Sequence, residues 1–164
     1  MSNSAANLYD LINVAQGQID NIAAVEYPAA GLTLTRSSTL AITTAGTFVT
    51  WQVETRGYAI TWSGSAITIP SSGYYQFTII YNSTVAHTVF GAVFVNSVLT
   101  GLGISSFNLD TRKALTITRY FTTGDSVQIA LVPSVNTTIS VAAENTANES
   151  PFLHVVQLTG SIES

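Results

Sequence analysis

The 164-residue chain contains no cysteine. Disulfide frameworks and thiolate metal sites are therefore excluded, and nothing in the composition reports the redox state of its surroundings. Charge is nearly as scarce: Asp, Glu, Lys and Arg make up 9% of the residues, where an ordinary soluble domain has about 25%. Five basic residues against nine acidic ones give a net charge of −4, which argues against a nucleic-acid binder. No stretch approaches the roughly 20 apolar residues of a membrane-spanning helix. The two histidines, His87 and His154, have no acid or second histidine beside them in sequence, so a metal site is not expected. There is no nucleophile elbow, phosphate loop or dinucleotide fingerprint, and nine acids in all offer little for a glycosidase pair. These absences describe a non-enzymatic chain with no cofactor.

Hydroxyls and apolar side chains fill the space that charge leaves. The chain has 23 Thr and 18 Ser, and 46% of its residues are apolar. At 17.4 kDa it is one domain with enough mass for a core of its own. The Asn-x-Ser/Thr triplets at Asn82, Asn136 and Asn148 are what chance yields in so Ser/Thr-rich a chain. The first ten residues lack a basic region and include Asp10, unlike a secretory signal, so synthesis in a cytoplasm without a signal peptide is expected.

The chain divides near Pro28, giving an arm over residues 1–30 and a β domain over 31–164. In the arm, Leu8, Leu11, Ile12, Ala15, Ile19 and Ile22 recur at helical spacing behind a candidate N-cap, Ser4. Leu8, Ala15 and Ile22 are seven apart, like two heptads of a coiled-coil seam. Two uses fit: docking on its own domain, or anchoring to other subunits or a capsid through Leu8, Leu11, Ile12, Ile19 and Ile22. The first 35 residues hold Asp10, Asp20 and Glu26 but no Lys or Arg, which disfavours phosphate or anionic lipid as a partner.

After Pro28 the apolar period is two. Residues 32–34, 40–42, 48–53, 67–69, 75–81, 88–95, 98–104, 114–121, 127–132, 138–141 and 152–158 alternate or run apolar over strand lengths. Turn signals separate them at Ser63-Gly64, Pro70 to Gly73, Gly101, Gly124-Asp125, Pro133-Ser134 and Asn148 to Pro151. Short strands with such punctuation predict an all-β sandwich or barrel. Tyr75 and Phe77 share a face with Ile79 and Tyr81, whereas residues 89–95, with Phe90 and Phe94, are apolar on both faces. A sandwich strand needs one apolar face, so the second has a partner to meet; together with the low charge this predicts a homo-oligomer. Tyr75, Phe77, Phe90, Phe94, Phe152 and His154 are the candidates for core or subunit interface. Arg112, Lys113 and Arg119 read as a solvated hairpin edge, with an anion contact as the sharper alternative. Trp51, Trp62, Tyr58, Tyr74 and Tyr120 are either core and interface aromatics or platforms for a sugar.

One run of motifs resembles a known family. Ile67-Thr-Ile-Pro-Ser-Ser-Gly-Tyr-Tyr-Gln-Phe77, Val93-Phe-Val-Asn96, the Gly124-Asp125 hairpin inside Leu115 to Leu131, and the closing Phe152 to Leu158 are similar, in order and spacing, to the globular heads of the complement-recognition-subunit and tumour-necrosis-factor superfamily. The closing strand lacks the usual Phe-Ser-Gly. The resemblance spans about residues 40–160 and implies a ten-stranded antiparallel jelly-roll sandwich that trimerises, a binding or structural module without catalysis. Some relatives bind calcium, but Asp125 stands alone in its hairpin. The Thr/Ser/Ala-rich, Cys-free composition and the arm look more like bacteriophage virion relatives than a secreted ligand or lectin. What this implies is a capsid decoration, cement or head-fibre protein on the virion surface, with its own copies and a major capsid protein as partners. The alternative is the receptor-binding tip of a tail fibre, recognising a host glycan or protein.

Overall fold

Alternation of apolar and hydroxyl residues has its expected consequence along β7, where Tyr75, Phe77, Ile79 and Tyr81 are each at most 2% exposed and their neighbours are not. The computed structural model describes residues 30–141 and 151–158, with the backbone alone for 102–109. The arm with Leu8, Leu11, Ile12, Ile19 and Ile22, and its junction with the β domain, lie outside the described residues. All eleven described elements are strands: β1 (Gly31–Thr35), β2 (Leu40–Ile42), β3 (Thr47–Phe48), β4 (Val53–Tyr58), β5 (Thr61–Ser63), β6 (Ala66–Thr68), β7 (Gly73–Val95), β8 (Val98–Phe121), β9 (Ser126–Pro133), β10 (Thr137–Ser140) and β11 (Phe152–Leu158).

Two of these strands create the two-layer form. β7 pairs with β11 through residues 74–80 and with β9 through residues 89–95, so its two halves serve different layers. β8 follows it along both halves, its register shifting between Asn82 and His87 where the ribbon turns the corner. The first layer runs β4–β1–β11–β7–β8, antiparallel throughout. The second sets β9 between the far half of β7 and the short β3 and β6, with β5 beyond β6. The β2–β10 pair joins β7 at the corner. Both layers face one core, which unites Leu32, Phe77, Leu115 and Val155 with Val93, Val127, Ile129 and Leu131. This is the all-β sandwich that the alternation implied, with the jelly-roll form that the family resemblance implied.

The strand boundaries differ from the expected short strands in several places; β4 beyond Val53 and all of β5, for instance, lie outside the expected ranges. Residues 75–81 and 88–95 form one strand, as do 98–104 and 114–121. No Gly or Pro lies between residues 74 and 90, so a register shift takes up the bend that a turn would otherwise make. Residues 49–52 are not a strand but a crossing between layers: Val49 N–H donates to Ile129 O, and Gln52 N–H donates to Thr35 O. Gly101 lies inside β8 with φ +155°, beside an irregularity of the ladder, rather than in a turn. The chain reverses at Asn96-Ser97, where φ values of 51° and 67° fit a two-residue hairpin of the primed type.

Candidate interaction faces

The outer face of the first layer is a grid fixed by the ladder. One row carries Leu158, Tyr74 and Tyr120 in register. The next row holds Tyr58, Gly31, Val156, Gln76 and Thr118, and a third holds Arg56, Thr33, His154, Thr78 and Thr116. A fourth holds Val53, Thr35, Phe152, Ile80 and Ala114. Arg56 is the only charged residue in these four rows. Tyr74 and Tyr120 are 57% and 53% exposed and meet edge to face at 5.4 Å. An aromatic pair ringed by aliphatics and threonine hydroxyls, on a sheet face nearly without charge, has the make-up of a face that another surface covers.

At the β4 margin of this face, Gly31, Thr33, Arg56, Tyr58, His154 and Val156 line a shallow hollow of about 240 Å³. Thr33 Oγ1 and His154 Nδ1 are 2.9 Å apart. A hydroxyl donating to Nδ1 leaves the ring proton on Nε2.

The outer face of the second layer carries a separate apolar patch. Phe48 and Phe94 meet edge to face at 4.9 Å, near Ala92 and Ala130 on the same face, both only 5% exposed. Phe90 and Leu99 remain exposed around them. The expected interface set is thus divided. Tyr75 and Phe77 are in the core; Phe152 and His154 are on the outer face of the first layer, and Phe90 and Phe94 on that of the second. Of the aromatics weighed for sugar binding, Trp51 is buried, and half-buried Trp62 donates its indole N–H to Glu54 Oε2 at 2.8 Å.

Sequence reading missed the polar cluster at the corner. Ser83, His87, Tyr81 and Lys113 are all buried. Tyr81 Oη and His87 Nε2 are 3.0 Å apart. His87 Nδ1 lies 2.9 Å from Val85 O, and Ser83 Oγ lies 2.9 Å from both Val85 O and Thr111 O, either of which can accept its single proton. With Nδ1–H donating to Val85 O and the phenol donating to Nε2, neutral His87 is fully satisfied. Burial pushes the Tyr81 phenol well above its usual range and the Lys113 ammonium below its own, the latter partly offset by Asp110. Lys113 is therefore not part of a solvated edge. Its burial places the ammonium in the layer-to-layer corner, while exposed Arg112 keeps the surface position expected of it. Asp110 is held below the usual carboxylate range by the backbone N–H groups of Arg112 and Thr111.

Asp125 is engaged by hydrogen bonds and not by other acids. Its Oδ1 accepts from Asn96 Nδ2 at 2.9 Å, its Oδ2 accepts from Thr122 N–H at 2.8 Å, and Asn96 Oδ1 accepts from Ser126 N–H. The aspartate is a tie between the β7–β8 and β8–β9 turns. Arg36 is a second structural tie: its guanidinium donates to Thr50 O and Oγ1, Ser38 O and Thr39 O, and burial lowers its pKa. Among the described residues no three acidic, histidine or cysteine side chains come together as metal ligands.

No protein-family model matches the chain, and no curated protein matches it in sequence. Solved structures do match in fold. The vertex protein P5 of the phage PRD1 superposes with a TM-score of 0.60 at 14% identity, over 82% of this chain and 100% of that one. The Eiger TNF protein of S. frugiperda gives 0.53 at 12% identity, over 82% and 96%. The globular domain of zebrafish complement 1qA gives 0.50 at 12% identity, over 82% and 100%. This chain therefore has the jelly-roll fold of tumour-necrosis-factor and complement 1q heads, and of a phage vertex protein.

Proposed function

We propose that this protein is a non-enzymatic structural component of a phage virion, a trimeric capsid decoration, cement or head-fibre protein attached through its N-terminal arm. The observation that carries this reading is the outer face of the first layer. Tyr74, Tyr120, Leu158, Ile80 and Phe152 make it apolar across its width, and a monomer gains nothing from that. Three copies meeting through this face bury the aromatic row, and the hydroxyls of Thr78 and Thr116, already 3.2 Å apart, stay hydrogen-bonded. Likeness in fold to a phage vertex protein and to tumour-necrosis-factor heads supports the same assignment. The two outer faces of a sandwich point apart, so one closed contact cannot use both. The Phe48–Phe94 patch is left for the capsid or another virion protein.

Attachment through the arm is adhesive: Leu8, Leu11, Ile12, Ile19 and Ile22 bury against the shell, and three arms multiply weak contacts through effective concentration. Deleting residues 1–27 tests it. The truncated protein is expected to stay trimeric by native mass spectrometry while losing capsid binding in co-sedimentation. Undiminished binding by an intact trimer would end the attachment role. The second reading, a receptor-binding fibre tip, draws on the exposed rings of Tyr58, Tyr74 and Tyr120. Specific binding of the purified protein to host cells or a glycan array would favour it over a cement role.

A further inference from the structure

His154 occupies the middle of the first layer's outer face. β11 is the third of the five strands in that layer, and His154 stands in the third of the four rows. Thr33 and Thr78 flank it across the ladder, and Phe152 and Val156 flank it along the strand. Its side chain is exposed, whereas the other histidine, His87, is sealed in the corner. The charged and titratable groups that share the face are Arg56, in the same row, and the phenols of Tyr58, Tyr74 and Tyr120. No acid stands in the four rows. Of the described acids, Glu54 is opposite buried Leu34 and engaged by Trp62, Asp110 accepts from its own turn at the corner, and Asp125 ties two turns together.

We propose that His154 makes assembly through this face acid-sensitive, a control that rests on the trimer proposed above: copies associate with the imidazole neutral and part once it takes up a proton. The face has the size for such a contact. Five strands about 4.8 Å apart and four rows about 6.8 Å apart cover roughly 650 Å², close to the ~800 Å² that each partner gives to a stable interface. A residue at the centre of a contact is fully desolvated, while the rim keeps water out.

Charge then sets the sign. Copies meeting through this face bring the same rows to it, with the same arginine and no acid. Arg56 is two strands from His154 in its row, roughly 10 Å by strand spacing. An imidazolium shut away from water beside another cation and without a counter-charge is strongly disfavoured. Hydrogen bonding points the same way. Thr33 Oγ1, 2.9 Å from Nδ1, serves the ring in either state, because a hydroxyl both donates and accepts. Whichever nitrogen holds the proton, the neutral ring needs one acceptor and the cation needs two. Association is therefore at full strength where imidazole is neutral and weakens as pH falls through the range in which it is protonated. Each copy takes up its own proton, which makes the dependence steep.

Analytical ultracentrifugation of the full chain at pH 7.5 and pH 5.5, over a series of concentrations, tests this, with circular dichroism following the fold. Wild type is expected to need about tenfold or more protein to assemble at pH 5.5. His154→Gln, neutral at both pH values, is expected to assemble equally at both, and His154→Lys to assemble poorly at both. Equal association of wild type at the two pH values, or a pH dependence that His154→Gln retains, overturns the acid control and leaves the trimer standing. A wild type that is monomeric at pH 7.5 overturns the trimer and the control with it. Proton uptake gives a second readout at a single pH. At pH 6.5, heats of dilution into buffers of different ionisation enthalpy are expected to differ for wild type and to agree for His154→Gln. The same buffer dependence in both proteins, or in neither, also overturns the control.

Discussion

Tyr81 shows how far a single residue can carry the corner of this fold. Its phenol is the partner of His87 Nε2, and both rings are almost wholly buried. Tyr81→Phe leaves that nitrogen unsatisfied and is expected to lower the unfolding free energy by about 1–3 kcal/mol, read from urea denaturation at pH 7. The pH dependence has a definite sign. Burial raises the phenol's pKa in the folded state, so below the unfolded value, near 10, both states are neutral and the full contribution is present. Above that pH the unfolded chain ionises first and the contribution declines. The advantage of wild type over Tyr81→Phe should therefore shrink as pH rises above about 10. Buried Lys113 acts in the opposite sense, since its lowered pKa lets the unfolded state hold more protons. Both variants keep Lys113, so the difference between them isolates Tyr81. Histidine and tyrosine here had no sequence signal beyond polar residues inside a strand-like run, because their meeting depends on where β7 bends.

At the scale of elements, the β7–β8 hairpin depends on two non-glycine residues held at positive φ, Asn96 at 51° and Ser97 at 67°. Asparagine tolerates that region; serine does so less readily. Ser97→Gly is expected to stabilise the protein by about 0.5–1 kcal/mol, raising the melting temperature by roughly 2–4 °C in calorimetry. The tie between turns gives the opposite outcome. Asp125→Ala removes acceptors from both Asn96 Nδ2 and Thr122 N–H, and a loss of about 1–2 kcal/mol is expected in the same calorimetric series. The Gly-Asp hairpin and the strand ending in Asn96 were both legible in sequence, but their contact, 29 residues apart, was not. Gly73 illustrates the same divide. It stands at a strand start, where an added Cβ would come within 2.8 Å of Gln157 Nε2. The atom in the way is the far end of a flexible β11 side chain, so the space at Gly73 is set by how Gln157 lies and not by backbone or a special angle.

For the whole molecule, the scarcity of charge and the surplus of apolar surface meet on the outer face of the first layer, the face that the proposed trimer would cover. Tyr120→Glu places a carboxylate in the Leu158–Tyr74–Tyr120 row without touching the core. Under the proposed trimer, light scattering and native mass spectrometry are expected to give a trimer for the wild type and a folded monomer for this variant, since burying an unpaired charge at an interface costs several kcal/mol. A trimer unaffected by this change would move the contact to another surface, with the Phe48–Phe94 patch next to be tested by Phe94→Glu.

Sequence alone determined the class of fold, because period-two alternation and turn residues are local properties of the chain. It also fixed the supply of titratable groups, nine acids, five bases and two histidines, from which any site must be built. Tertiary structure decided which exposed faces exist. Phe90 and Phe152 look alike in sequence, and only the exchange of β7 between layers puts them on opposite sides of the molecule. It likewise decided that Lys113 is buried, that Asp125 has a partner, and that Arg56 opens onto a hollow beside β1. Each of these depends on contacts between residues far apart in the chain, and no local pattern encodes such contacts.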